Sequence, residues 1–190
     1  LWDMLRRNKD TTFVEQAKRQ MLRDRKRMEK QKDGQEVEVA YTEIDRSVLS
    51  YLTGVLGEKA MPLIRDVYED PELSDRNRST LRGIAANYVG VNEDANIIIN
   101  SRMNEGFMKL ASIDDKKKQK ENRESGMRTV SYYLNKMGEG RSVAPETLQA
   151  RQQYLSSLRA QTQDKEVLKM MDNTERRLKD MSDPAKAKKL

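Results

Sequence analysis

Apolar residues recur at three- and four-residue intervals along most of the chain, and that period predicts helices. In the stretch Phe13–Lys32, FVEQAKRQMLRDRKRMEKQK, the residues Val14, Ala17, Met21 and Met28 fall on one side of a helix. At about 100° per residue, Arg19, Arg23, Lys26 and Lys30 gather on the opposite side. Thr12 and Glu15 have capping-box spacing at its start, and Asp33-Gly34 is the expected stop. Ahead of it, Trp2, Met4 and Leu5 form a small apolar cluster suited to a short docking helix. Val37, Val39 and Tyr41 alternate with Glu36, Glu38 and Ala40. This predicts an extended connector near 37–41, or at most a single strand with a partner elsewhere.

From Thr42 to Ala111 the helical period returns with clear punctuation. Thr42 is placed to cap a helix carrying Ile44, Val48, Tyr51, Leu52, Val55 and Leu56, which Gly57 stops. Pro62 opens a short helix with Leu63, Ile64, Val67 and Tyr68, closed by Pro71. Ser74 or Asp75 caps the next, with Leu81, Ile84, Ala85 and Tyr88 in register, and Gly90 takes the left-handed position after it. Asn92 opens a fourth helix bearing Ala95, Ile98, Ile99, Met103, Phe107 and Leu110. Four helices with short connectors predict a small bundle.

Beyond Ser112 the texture is more polar. Asp114-Asp115 precedes the solvated run Lys116–Lys120, and Met127, Val130, Leu134 and Met137 follow a three-four pattern. Gly138-Glu139-Gly140 reads as a hinge, and Pro145 starts a helix with Leu148, Leu155 and Leu158. After Asp164, the residues Val167, Met171, Thr174, Leu178 and Met181 make a short heptad seam that ends at Asp183-Pro184, before the tail AKAKKL. The predicted class is all-α, in three parts: a basic helical arm over 1–34, a central bundle over 35–112, and elongated charged helices over 113–190.

Charge sharpens the first part. Residues 1–32 hold 11 Lys/Arg against 5 Asp/Glu, so the arm carries the whole net charge of +6 and the remainder is neutral. Core-forming residues are scarce, with Leu, Ile, Val and Phe numbering 37 of 190. A thin core in a chain of this length predicts burial shared with other subunits. The 11 methionines, many on the helical stripes, suit adaptable helix contacts.

Candidate chemistry is sparse. There is no Cys and no His, which removes thiolate ligands, thiol nucleophiles and the commonest general base. Gly138-x-Gly140 lacks the third glycine and the preceding strand of a dinucleotide site, and no Walker lysine follows a glycine-rich loop. Asp66, Glu69, Asp70, Glu72 and Asp75 crowd into ten residues, but their spacing matches no calcium loop. They are read first as a solvated loop, with docking of the basic arm, from the same chain or a neighbouring copy, as the specific alternative. No catalytic, cofactor or metal residue is assigned, and the chain is read as non-enzymatic.

The expected function is a structural or adaptor subunit of a larger assembly, a homo- or hetero-oligomer working through helix–helix contacts. A virion internal, ejection or connector component is one version, and a secretion-complex subunit is another. The interface residues would be Val14, Met21 and Met28 on the arm and Val167, Met171, Leu178 and Met181 on the seam. The alternative is a nucleic-acid-binding or packaging protein, with Arg19, Arg23, Lys26 and Lys30 meeting phosphate. No window reaches the apolar length of a membrane span. Leu1-Trp2 with Arg6, Arg7 and Lys9 would suit the flank of a membrane, so proximity through the N-terminus stays open. The setting is read as a soluble part of an assembly, in a virion or inside a cell.

Overall fold

A computed structural model describes residues 1–32, 34–112, 116–139 and 144–183. The chain is largely all-α, with one two-stranded antiparallel sheet. It divides into two units, Leu1–Gly83 and Ile84–Leu190.

In the first unit, α1 (Trp2–Arg7) and α2 (Val14–Gln20) precede strands β1 (Leu22–Lys30) and β2 (Glu36–Ile44). Then come α3 (Arg46–Leu56), a 3-10 turn at Gly57–Ala60, α4 (Met61–Tyr68) and the start of α5 (Asp75–Ala85). Of the apolar cluster at the N-terminus, Trp2 and Leu5 dock and Met4 stays exposed. Leu5 is buried, Trp2 lies 5.1 Å from the buried Tyr51 ring, and the Tyr51 hydroxyl donates to the Asp10 carbonyl at 2.7 Å. The core of this unit is built from Met21, Ile44, Val48, Leu49, Tyr51, Leu52, Met61, Ile64, Val67 and Leu81. Gly57 stops α3 with φ 55°, a value only glycine adopts freely.

The single basic helix over 13–32 is corrected. It ends at Gln20, and residues 22–30 form a strand instead. β1 pairs with β2 in one unbroken register, from Leu22 opposite Ile44 to Lys30 opposite Glu36. Gln31 donates to the Gln35 carbonyl at 2.7 Å, and Gly34 sits at φ 89° to close the turn. Arg, Lys, Met and Glu all favour helix, but intrinsic propensity spans well under 1 kcal/mol per residue and yields to a paired strand. The expected strand near 37–41 therefore exists, is longer, and takes the basic stretch as its partner. The helix start moves with it: Thr42 lies in β2, and Asp45 caps α3, accepting from the Ser47 and Val48 amides at 3.0 and 3.2 Å.

The second unit holds a 3-10 turn at Ala86–Tyr88, then α6 (Glu93–Ala111), α7 (Lys116–Met137), α8 (Pro145–Arg159) and α9 (Lys165–Ser182). Asn92 caps α6 through the Ala95 amide, and Gly90 takes φ 79°. A side chain at Gly90 would press on the Cα of Arg151 at 3.1 Å. α6 and α7 cross at two glycines: a Cβ on Gly126 would stand 2.7 Å from the Gly106 carbonyl oxygen. The expected break at 112/113 thus falls between two helices that touch backbone to backbone, and the break at 34/35 falls in the turn of one hairpin. Asp33, Asp114-Asp115, Gly140, Pro184 and the basic tail lie outside the described residues.

The seam on α9 faces inward, with Val167, Met171, Thr174, Leu178 and Met181 all buried within this unit. Asp164 caps α9 through the Glu166 and Val167 amides, and Arg123 of α7 donates to Asp164 and Glu166, at 2.7 Å each. The Arg123 hydrogen bond, joined by the Val167 and Glu166 amides, holds the Asp164 carboxyl below its ordinary 3.8. A carboxyl depressed by folding stabilises above its unfolded-state value, and that contribution is lost as pH falls through the folded-state value. Asp164→Ala is expected to cost about 1 kcal/mol at neutral pH. In urea titrations the gap between variant and parent should close as pH falls below about 4; a gap that persists or widens there would remove the charged cap from this account.

Candidate functional site

The hairpin is the most exposed element of the first unit. In β1 every residue is exposed except the half-buried Glu29, and β2 buries only Thr42 and Ile44 at its base. Nine residues of antiparallel strand extend about 30 Å. Leu22, Met28 and Val37 are among the exposed large apolar residues. Alternation sorts the side chains. Arg23, Arg25, Arg27 and Glu29 share a face with Glu43, Tyr41, Val39 and Val37. Asp24, Lys26, Met28 and Lys30 lie on the other face with Thr42, Ala40, Glu38 and Glu36.

This geometry splits the residues expected to contact phosphate. Arg23 is on one face of the ribbon, Lys26 and Lys30 are on the other, and Arg19 belongs to α2. It also supplies counterions for Arg23 and Lys26. β1 carries five bases and two acids, and β2 carries three acids and no base. Arg25 meets Glu43 and Lys26 meets Glu38, each at 3.0 Å, while Arg23 reaches Asp45 at 2.5 Å. Asp45 is held below its usual range by the Ser47 hydroxyl first, then the Val48 and Ser47 amides and the Arg23 charge. Arg25 and Lys26 thus pair with the partner strand, Arg23 with the cap of α3 just past it, and Arg27 with Glu29 of its own strand.

That loop has local roles. Glu69 pairs with Arg65 at 3.0 Å, Asp70 accepts from the Glu72 amide at 2.9 Å, and the Arg78 guanidinium donates to the Tyr68 and Asp70 carbonyls. Asp66 and Glu72 are exposed. Among the described residues, no three acidic side chains are gathered as a cation site requires.

A groove of about 970 Å³ runs along the arginine face at the base of the ribbon. Arg23, Arg25, Arg27 and Tyr41 form one wall, and Arg46, Ser74, Asp75, Arg76 and Asn77 complete it where α3 and α5 begin. Arg27 lies over the Tyr41 ring, 5.3 Å from its centre. Asn77 is buried and ties the wall to the sheet, donating to the Thr42 carbonyl at 3.1 Å. The groove presents five guanidiniums against the carboxylates of Glu43, Asp45 and Asp75, a lining with an excess of positive charge. Arg25, Arg27, Arg46 and Arg76 are not among the residues singled out in the sequence, and Tyr41 enters there only as part of the extended segment. The signal was there: two nine-residue runs flank a short segment containing Asp-Gly, a hairpin signature.

Of the expected interface residues, Met21 is buried at 1% exposure, Val14 is half-buried, and Met28 stands out on the ribbon at 59%. No helix among the described residues is long and apolar enough to cross a membrane. Compared with known protein families, curated proteins and solved structures, the chain matches none.

Proposed function

We propose that this chain is a non-enzymatic structural or adaptor subunit of a larger assembly, and that the β1–β2 ribbon is the arm by which it holds a protein partner. The exposed ribbon carries this reading. A two-stranded hairpin is marginal alone in water, and here both faces are largely bare of cover from the unit that bears it. Met28 and Leu22 stand exposed on one face of the arm and Val37 on the other, where a partner holding the ribbon would cover them. The inward-facing seam on α9 moves the expected contact from the C-terminal helices to the ribbon. Virion internal components and secretion-complex subunits are both consistent versions of the role. Nucleic acid is the weaker partner, because β2 offsets the charge of β1.

Replacing residues 26–40 by a tight turn removes the arm and keeps its base, including the Arg23–Asp45 and Arg25–Glu43 pairs. This variant is expected to retain the helical circular dichroism of the parent and to lose the protein partner captured by the intact chain from its source extract. Capture at undiminished yield, or an intact chain that remains a monomer and captures no protein, would contradict the proposal.

A further inference from the structure

We infer that the free edge of β1 is a docking strand for an extended acidic segment of a partner protein, added to the ribbon as a third strand. This rests on the assembly-subunit reading above and names the chemistry of the partner. The edge is open: β1 pairs with β2 alone, and among the described residues none from Leu22 to Lys30 makes a backbone hydrogen bond outside that ladder. Unpaired strand edges recruit further strands, and main-chain bonds then supply affinity while side chains set specificity.

Charge selects the recruit. Five bases against two acids disfavour the pairing of β1 with another copy of itself, since like charges opposite one another repel. The inner edge shows what β1 accepts. It is β2, EVEVAYTEI, an acidic strand held through Arg25–Glu43 and Lys26–Glu38. On the groove side Arg23, Arg25 and Arg27 recur every second residue, about 6.7 Å apart. An added strand repeats its side chains at the same interval, so Asp or Glu at alternate positions would each stand beside a guanidinium, sharing it with the Asp45, Glu43 or Glu29 carboxylate that already meets it. Arg46 and Arg76, which make no ion pair among the described residues, extend the basic wall. A nucleic-acid strand fits less well, because residues 22–44 carry as many acids as bases.

The test uses the full chain and a labelled peptide with the sequence of residues 35–45, QEVEVAYTEID. Binding is followed by fluorescence anisotropy at low and physiological ionic strength. The peptide is expected to bind, to weaken with salt, and to slow amide exchange across Leu22–Lys30 while β2 stays protected. Arg25→Gln with Arg27→Gln should weaken binding about tenfold, the loss of two charge pairs. Replacing the peptide's glutamates by glutamine should weaken it similarly with the protein unaltered. The inference is overturned if the acidic peptide does not bind, if a lysine-substituted peptide binds as well, if β2 is displaced, or if a single-stranded oligonucleotide binds more tightly. Should the peptide fail while loss of residues 26–40 still abolishes capture of the partner, the edge-strand inference falls and the assembly role stands.

Discussion

Gly126→Leu will destabilise the second unit by about 3 kcal/mol, at the upper end of overpacking costs. A Cβ on Gly126 stands 2.7 Å from the Gly106 carbonyl oxygen, 3.0 Å from Leu110 Cγ and 3.2 Å from Lys109 Cβ. The nearest of these is backbone, which cannot rotate aside, so α6 and α7 must separate or shift. Gly106→Ala meets a softer obstacle, since its nearest neighbour at 2.9 Å is a methyl group of Val130. Its cost should be smaller. Gly83→Ala is the control. Gly83 lies in α5 with nothing within 4 Å, so removing its helix penalty should stabilise by up to about 1 kcal/mol. Thermal unfolding by circular dichroism ranks the three variants. Equal effects at Gly126 and Gly83 would show that the helices do not meet where the structure places them.

Tyr51→Ala will cost about 4 kcal/mol, within the range for deleting a large buried aromatic side chain. Tyr51 is fully buried, its ring contacts Trp2, and its hydroxyl holds the Asp10 carbonyl between α1 and α2. Tyr51→Phe keeps the ring and removes one hydrogen bond, so its cost should be about 1 kcal/mol. Trp2 is the only tryptophan, and its emission therefore reports directly on this contact. The Ala variant should expose the indole and shift its emission to the red, whereas the Phe variant should not. If the two substitutions cost the same, the ring is not a packing element and α1 is not docked through it.

Much of this architecture was legible because it is local. The stop at Gly57, the left-handed Gly90, the cap at Asn92 and the buried faces of α6 and α9 follow from residues within a turn or two of one another. The basic stretch was not legible in the same way. Its helical reading satisfied every local preference of Arg, Lys, Met and Glu, and the strand's partner starts only at Glu36 and reaches Ile44, opposite Leu22. Pairing at that separation is settled by the complementary charges of the two runs and by Met21 and Ile44 entering the core, which a single-helix period does not weigh. The same limitation hid the site. Arg23, Arg25 and Arg27 lie about 200° apart in successive steps round a helix and become one row only on a strand. The Gly106–Gly126 crossing was hidden because each glycine looks unremarkable until its partner helix is known.

The buried Arg151 carries the same lesson. It donates to the carbonyl of Met137, the last residue of α7, at 2.9 Å and to the Glu139 carbonyl just past it at 3.3 Å, where a cation complements the helix dipole. Nothing in its neighbours within α8 marked it as a core residue, since the carbonyls it serves belong to another element.

The ribbon as a protein-binding arm is tested most directly by a photo-reactive side chain placed at Met28, with Met108 on α6, itself 65% exposed, as the control position. Irradiated in its source extract, the chain should form a crosslink from position 28 that protease removes and nuclease does not, with little from position 108. A nuclease-sensitive adduct at position 28, or protein crosslinks from position 108 alone, would contradict the account.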